Sequence, residues 1–395
     1  MFRKDDGRVY LDNAATTFKP DAVIDEVTSY YSEHCYNSGQ STYAGAIEMD
    51  EQVESVRSLV AEFIGCDSDE VVFTSGASDA LNLVALSFGR ATLSSGDVVI
   101  TTRAEHASCI LPWMKLCSSV GAKLVFAPLD EAGRLDLEGL AALMGPRVKA
   151  VVLAQVTNVL GYEVPVREVC GLAHAAGAVV VVDGAQSVGH LPVDVRALGC
   201  DFLAFSAHKM CGPTGIGVLY GKRELLRRMD PVRYGGGSNV NYDDEGGVFL
   251  RDAPYRFECG TLPLAQVCGL GACVRYLDGV GMEAIAQRTC ELRSRAVTGL
   301  ADVSHVEVLN PGADGGIVTF NVRGVFSDDA ATYLDAQGVC VRSGQHCSRL
   351  LEPLLHSRST LRASVYFYNS EDEIDQFVAC CAQASKAHVY DVIFS

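Results

Sequence analysis

No apolar run in the 395 residues approaches the roughly 20 needed to span a bilayer, and Met1 to Tyr10 is polar where an export signal would carry an apolar core. A membrane span is not expected, and the protein is expected to stay in the cytosol. The chain is short of positive charge too, with a formal net charge of −17. This argues against a nucleic-acid or anionic-membrane partner, because phosphate binding needs grouped cations to replace counterions. There is no repeat, low-complexity tract or long linker. Cys170 and His174 have a helical spacing that suits a metal, but no second pair of ligands stands near them in sequence. The fifteen cysteines are odd in number and diluted over a long chain without an export signal, so most are expected to be reduced, small core residues.

What is present is the composition of a folded enzyme. About half the residues are apolar and a fifth charged, and the length suggests two or three units of structure. A helical pattern from about residue 46 ends at Gly65, and 70–74 reads as a strand. Apolar runs at 98–101, 123–127, 148–156, 178–182 and 202–205 read as strands buried on both faces. Stretches with helical spacing at 80–88, 110–120, 135–143 and 166–175 lie between them, which predicts a mostly parallel sheet with helices outside. From about 265 a long helical region gives way to short strands at 306–308, 317–322 and 339–341 and a helix from about Glu371, the pattern of a smaller α+β domain. Residues 235–249 read as an exposed glycine-rich excursion, either a surface loop or part of a subunit contact.

Four segments have the residue types of a catalytic site. Ser206-Ala207-His208-Lys209 follows a predicted buried strand, and burial lowers a lysine's pKa, leaving a neutral amine able to form a Schiff base with an aldehyde cofactor. A lysine whose head reaches solvent fits that spacing equally well. Val181-Val182-Asp183-Gly184-Ala185-Gln186 puts a carboxylate at the end of another strand, where parallel sheets place ligands and where it suits a pyridinium nitrogen; a helix cap is the plainer alternative. Thr74-Ser75-Gly76-Ala77-Ser78-Asp79 runs from a strand into a helix whose free N–H groups suit a phosphate, and a simple capped helix start is the plainer alternative. The Gly212-Pro213-Thr214-Gly215-Ile216-Gly217 loop lacks the Gly-Lys-Ser/Thr ending of a nucleotide-binding loop. Arg342-Ser343-Gly344-Gln345-His346-Cys347 sets a cysteine in a polar loop beside Arg and His, which can hold a useful thiolate fraction, although for one cysteine among fifteen an unreactive role is the commoner reading, and Arg362 follows fifteen residues later.

Taken in order, these segments resemble the class V aminotransferase family, and within it the SufS-like cysteine desulfurases. The resemblance runs from Tyr10-Leu11-Asp12-Asn13-Ala14-Ala15-Thr16 to Arg362-Ala363-Ser364-Val365-Tyr366-Phe367-Tyr368-Asn369. It implies an α/β fold, that of the fold-type I pyridoxal-phosphate (PLP) transferases. A large domain over 16–262 would hold a mostly parallel seven-stranded sheet, with a small α+β domain over 1–15 and 263–395. Carried over position by position, Lys209 is the lysine that carries PLP, Asp183 the partner of its ring nitrogen and Gln186 the partner of its hydroxyl. His106, in Glu105-His106-Ala107-Ser108, is the histidine stacked on the ring. Ala77, Ser78, Ser206 and His208 fall on phosphate positions. Thr261, in Glu258-Cys259-Gly260-Thr261, matches a phosphate contact made from the neighbouring subunit, which implies a homodimer. Arg362 matches the residue that grips the substrate carboxylate, with Asn158 and Ala15 beside it, and Cys347 the cysteine that accepts sulfur, with Arg342 five residues before it. The implied reaction turns L-cysteine into L-alanine with a persulfide on Cys347, from which sulfur passes to an acceptor protein.

The sequence departs from the family at four places. Asn37-Ser38-Gly39-Gln40-Ser41-Thr42-Tyr43 lacks the usual His and Arg, Ala77 replaces a frequent Thr, Gln345 replaces a frequent His, and Cys211 sits unusually close to Lys209. A selenocysteine lyase, an aminotransferase or other lyase on the same fold, and a non-catalytic homologue are the alternatives. Retention of Lys209, Asp183, His106 and Cys347 together speaks against the last.

Overall fold

A computed structural model describes residues 7–39 and 42–394, so Gln40 and Ser41 of the departing segment lie outside the described residues. Seven strands form the central sheet: β1 (Val71–Thr74), β2 (Val98–Thr101), β3 (Lys123–Phe126), β4 (Val148–Ala154), β5 (Val179–Asp183), β6 (Phe202–Ser206) and β7 (Gly217–Gly221). Their spatial order is β1–β7–β6–β5–β4–β2–β3, parallel throughout except for β7, which runs antiparallel to β1 and β6. This is the α/β architecture that the alternation of runs predicted.

The strands lack polar alternation because both faces are covered. In β5, Val180 and Val182 join one apolar cluster while Val181, between them, joins another; β6 divides the same way, Leu203 and Phe205 against Phe202 and Ala204. The run at 123–127 is the exception: β3 pairs only with β2 at the sheet edge, Lys123 is exposed and the rest of the strand is half-buried, so the expectation of burial on both faces fails there. β7 went unread because its start lies in the glycine-rich run. A Cβ on Gly217 would meet the Gly76 Cα at 2.4 Å, so only glycine lets β7 pass so close to the turn after β1.

A second sheet has four antiparallel strands, β8 (Val306–Val308), β9 (Ile317–Val322), β10 (Arg342–Gly344) and β11 (Thr360–Ser364), in the order β8–β9–β11–β10. Residues from helices Met282–Ala301, Ser327–Ala336 and Glu371–Gln383 complete its separate apolar cluster, which Val9 and Leu11 also enter. Helix Leu264–Val280 packs instead on Asp21–Ser32 and Ala44–Ile64, with Val267, Leu270 and Val274 in the core of the large sheet. The excursion at 235–249 is an antiparallel hairpin of Asn239–Tyr242 and Val248–Leu250.

Candidate active site

The strand ends and the second sheet face one cavity. Its lining includes Ala15, Ala77, Ser78, His106, Asn158, Asp183, Gln186, Ser206, His208, Lys209, Arg342, Cys347 and Arg362, thirteen residues predicted from widely separated segments. Thr261 is exposed and not part of this lining.

The wall given by the large sheet combines a carboxylate, an amine and a helix start. Asp183 is the last residue of β5, 5% exposed, and its Oδ1 accepts the Ala185 N–H at 3.0 Å. Burial raises its pKa against the opposing pull of Lys209, which makes it a strong acceptor for a ligand proton. Lys209 follows β6 in a short 3₁₀ turn. Burial is the main cause lowering its pKa, Asp183 opposes this, and Arg362 and Arg342 add to it, so the site favours a neutral amine. Its Nζ has no hydrogen-bond partner among the described residues, although the side chain is deep in the cavity. The Ser206 hydroxyl accepts the Ala77 N–H at 2.8 Å, leaving its own hydrogen free to donate beside the start of helix Ala77–Val84. Ser78 Oγ lies 2.6 Å from Ser108 Oγ, and Gln186 Nε2 donates to the Ala14 carbonyl at 2.9 Å.

His106 caps helix Ala107–Val120, its Nδ1 accepting the Ser108 N–H at 3.1 Å. The proton of the neutral ring is therefore on Nε2. Burial, followed by Lys209, Arg362 and Arg342, pushes its pKa down to about 4, so the ring is neutral at pH 7. His208 is likewise held at about 4, by burial first and then Lys209 and Lys19.

The second sheet supplies cations and the thiol. Arg342 on β10 is directly opposite Arg362 on β11, and like charges in that position destabilise a strand pair unless an anion comes between or beside them. Arg362 is 2% exposed, donates to the Asn158 carbonyl at 2.8 Å and pairs with Asp12 at 3.2 Å, and its buried Nε has no partner among the described residues. Cys347 and His346 both have left-handed backbones, with φ of 60° and 49°. Three bonds hold them there: Asn158 Nδ2 to the His346 carbonyl (2.8 Å), Ala107 N–H to the Cys347 carbonyl (2.8 Å) and Ser348 Oγ to Asn158 Oδ1 (2.9 Å).

Two residues with supporting roles were missed by the sequence reading. Ser348 ties the cysteine loop to Asn158, and nothing in its neighbourhood distinguishes it from any loop serine. Glu105 is buried and accepts from Thr102 Oγ1 (2.6 Å) and the Ala154 N–H (2.7 Å), holding the turn before His106 to the end of β4. Burial pushes its pKa up to about 8; its place beside His106 was the available signal. His174, weighed as a metal ligand, bonds to Asp201 at 2.8 Å, and no group of three or more His, Cys, Asp or Glu suited to a metal occurs among the described residues.

An α/β fold with a lysine and a carboxylate at neighbouring strand ends, facing a thiol and two arginines from a second sheet, defines an enzyme site built for amine and anion chemistry. The profile of the class-V aminotransferases matches residues 9–377, and the chain belongs to that family. Curated relatives include a cysteine desulfurase of Haloferax volcanii, 41% identical over 378 residues, which are 94% of this chain and 88% of that protein. A probable cysteine desulfurase of Halalkalibacterium halodurans is 40% identical over 368 residues, 93% of this chain and 90% of the relative. Among solved structures, apo cysteine desulfurase from Thermococcus onnurineus NA1 matches with a TM-score of 0.92 at 37% identity, covering 96% of this chain and 95% of its own. Cysteine desulfurase CsdA from Escherichia coli gives 0.92 at 35%, covering 99% and 97%.

Proposed function

We propose that the chain is a PLP-dependent cysteine desulfurase that converts L-cysteine to L-alanine and collects the sulfur as a persulfide on Cys347. The observation that carries this reading is a thiol in the same cavity as a lysine with a depressed pKa and a buried carboxylate. The residues fit the cofactor: Lys209 would attach it, Asp183 would take its ring nitrogen, Gln186 its hydroxyl and His106 one ring face. Ala77, Ser78, Ser206 and His208 would hold the phosphate. Bound there, PLP supplies an aldehyde that condenses with amines and a ring that accepts electrons from the substrate carbon.

The chain's own residues do the rest. Arg362, with Asn158 and Ala15, holds the substrate carboxylate; its unpartnered Nε and the nearby charge of Arg342 favour an anion. Lys209, as a neutral amine, takes a proton from the substrate carbon, and His106 holds one at Nε2 to donate. Cys347 Sγ attacks the substrate sulfur, forming an S–S bond as the C–S bond breaks.

The active unit is a homodimer in which Thr261 serves the partner's site; its exposure outside its own cavity and the uncovered apolar hairpin side chains Val240, Tyr242, Val248 and Phe249 support this. The separate core of the second sheet supports a small domain, but helix Leu264–Val280 sits in the core of the large sheet, so the boundary falls after that helix rather than at 262. All fifteen cysteines are free, which suits the reducing cytosol, and no helix among the described residues is long and apolar enough to cross a membrane. The sulfur goes through an acceptor protein to iron–sulfur clusters or another sulfur-containing product. The test is release of alanine and sulfide from cysteine with a reductant. Equal yields that vanish in Cys347→Ser, with the cofactor colour kept, support the reading; turnover independent of Cys347 overturns it.

A further inference from the structure

Sulfur collected on Cys347 has to leave the protein, and the surface beside that exposed cysteine differs in charge from the chain as a whole. Arg349, two residues along the chain from Cys347, lines a cleft together with Arg103, Arg358, Leu350 and Pro353. A second cleft shares His356, Ser357 and Arg358 with the first and adds Arg323, so four arginines line a groove made of two adjoining clefts with a common wall. Its carboxylates are Glu352, paired with Arg358 at 3.5 Å, and Glu307. Arg103 lies over the Phe126 ring at 4.8 Å, and neither it nor Arg349 makes an ion pair among the described residues. Four arginines against two glutamates leave this groove positive on a chain whose net charge is −17.

We propose that this groove docks an acidic, cysteine-bearing segment of the sulfur-acceptor protein, an inference that rests on the desulfurase reading. Membrane surfaces and nucleic acids are also anionic, but neither offers a thiol to take the sulfur. The acceptor thiolate attacks the outer sulfur of the Cys347 persulfide. A new S–S bond forms, the old one breaks, Cys347 leaves as thiolate, and the acceptor becomes the persulfide with no net oxidation or reduction. Exposed arginines act here chiefly on the rate of encounter, an effect that salt screens.

The test uses holoenzyme loaded with sulfur-labelled cysteine and three synthetic peptides of equal length. Each carries one central cysteine, flanked by Asp and Glu, by Ser and Gly, or by Lys. Discharge rates are divided by each peptide's rate with a neutral small disulfide, which removes differences in thiol reactivity. At low ionic strength the acidic peptide should exceed the neutral one by about 10-fold or more and the basic one should be slowest. The order should collapse at high salt and in the Arg103→Ser/Arg349→Ser/Arg358→Ser variant, with alanine formation under dithiothreitol unchanged. Equal normalised rates, or a preference that survives in the triple variant, overturn the proposal. The corresponding Lys variant keeps the charge and must keep the order; its loss with alanine formation intact also overturns it. Absence of label on Cys347 before any peptide is added would instead defeat the desulfurase reading.

Discussion

Removing the Ser348 hydroxyl should loosen the cysteine loop by freeing it from Asn158, a residue that also helps to hold the substrate carboxylate. Ser348 Oγ donates to Asn158 Oδ1 at 2.9 Å, and both residues are buried. The loop needs such support because His346 and Cys347 hold consecutive left-handed conformations, each costing about 1–2 kcal/mol in a residue other than glycine. In Ser348→Ala, Asn158 Oδ1 loses its donor in a site that water reaches poorly, a loss worth about 1–3 kcal/mol. Local opening should therefore become about 5- to 160-fold more frequent. The amide to follow by hydrogen exchange is that of Ala107, which donates to the Cys347 carbonyl, with the Ser348 amide, which donates to Gln345, as a second reporter. Ser348→Thr keeps the hydroxyl and should stay close to the parent. Unchanged exchange in Ser348→Ala, or equal acceleration in Ser348→Thr, would refute the clamp.

Three further outcomes follow from the electrostatics of the site. Burial and neighbouring cations hold His106 and His208 at about 4 and His346 at about 3, and burial holds His190 at about 4. An unfolded chain takes up these protons near pH 6.5, so the stability they confer is whole above 6.5 and lost as the pH falls toward 4. Near pH 5 the four histidines should contribute a slope of about 5 kcal/mol per pH unit to unfolding. An NMR titration of cofactor-free protein should find the His106 midpoint near 4; one near 6.5 would contradict the burial argument. Arg362→Lys loses the planar fork that spans Asn158 and Asp12. Losing one charge-assisted hydrogen bond, about 1.5–3 kcal/mol, should raise the KM for cysteine about 10- to 150-fold, and an unchanged KM would remove Arg362 from the carboxylate site.

The strands of the central sheet were legible because burial on both faces leaves continuous apolar runs, as in Val179–Asp183. β7 was not, since the contact that demands Gly217 comes from Gly76, far away in sequence. Lys209 and Asp183 were readable at strand ends, but spacing alone allowed a solvent-reaching lysine and a helix cap. The family resemblance raised both, and the cavity shows them facing the same space. What spacing could not supply was register. That Arg342 is opposite Arg362 depends on how β10 pairs with β11, and that Ala107 grips Cys347 depends on two domains meeting. Ser348 acts through a hydrogen bond across such a distance, which leaves no local pattern, and Glu105 had only its place beside His106 to mark it.

The central claim is that sulfur from cysteine comes to rest on Cys347, and the most direct measurement is mass-spectrometric mapping of the holoenzyme after one turnover with sulfur-labelled cysteine and no reductant. The account predicts one labelled sulfur atom per chain, on the peptide containing Cys347, together with one alanine. Alanine formed with the label on another cysteine, or released as sulfide while Cys347 stays unmodified, would contradict it.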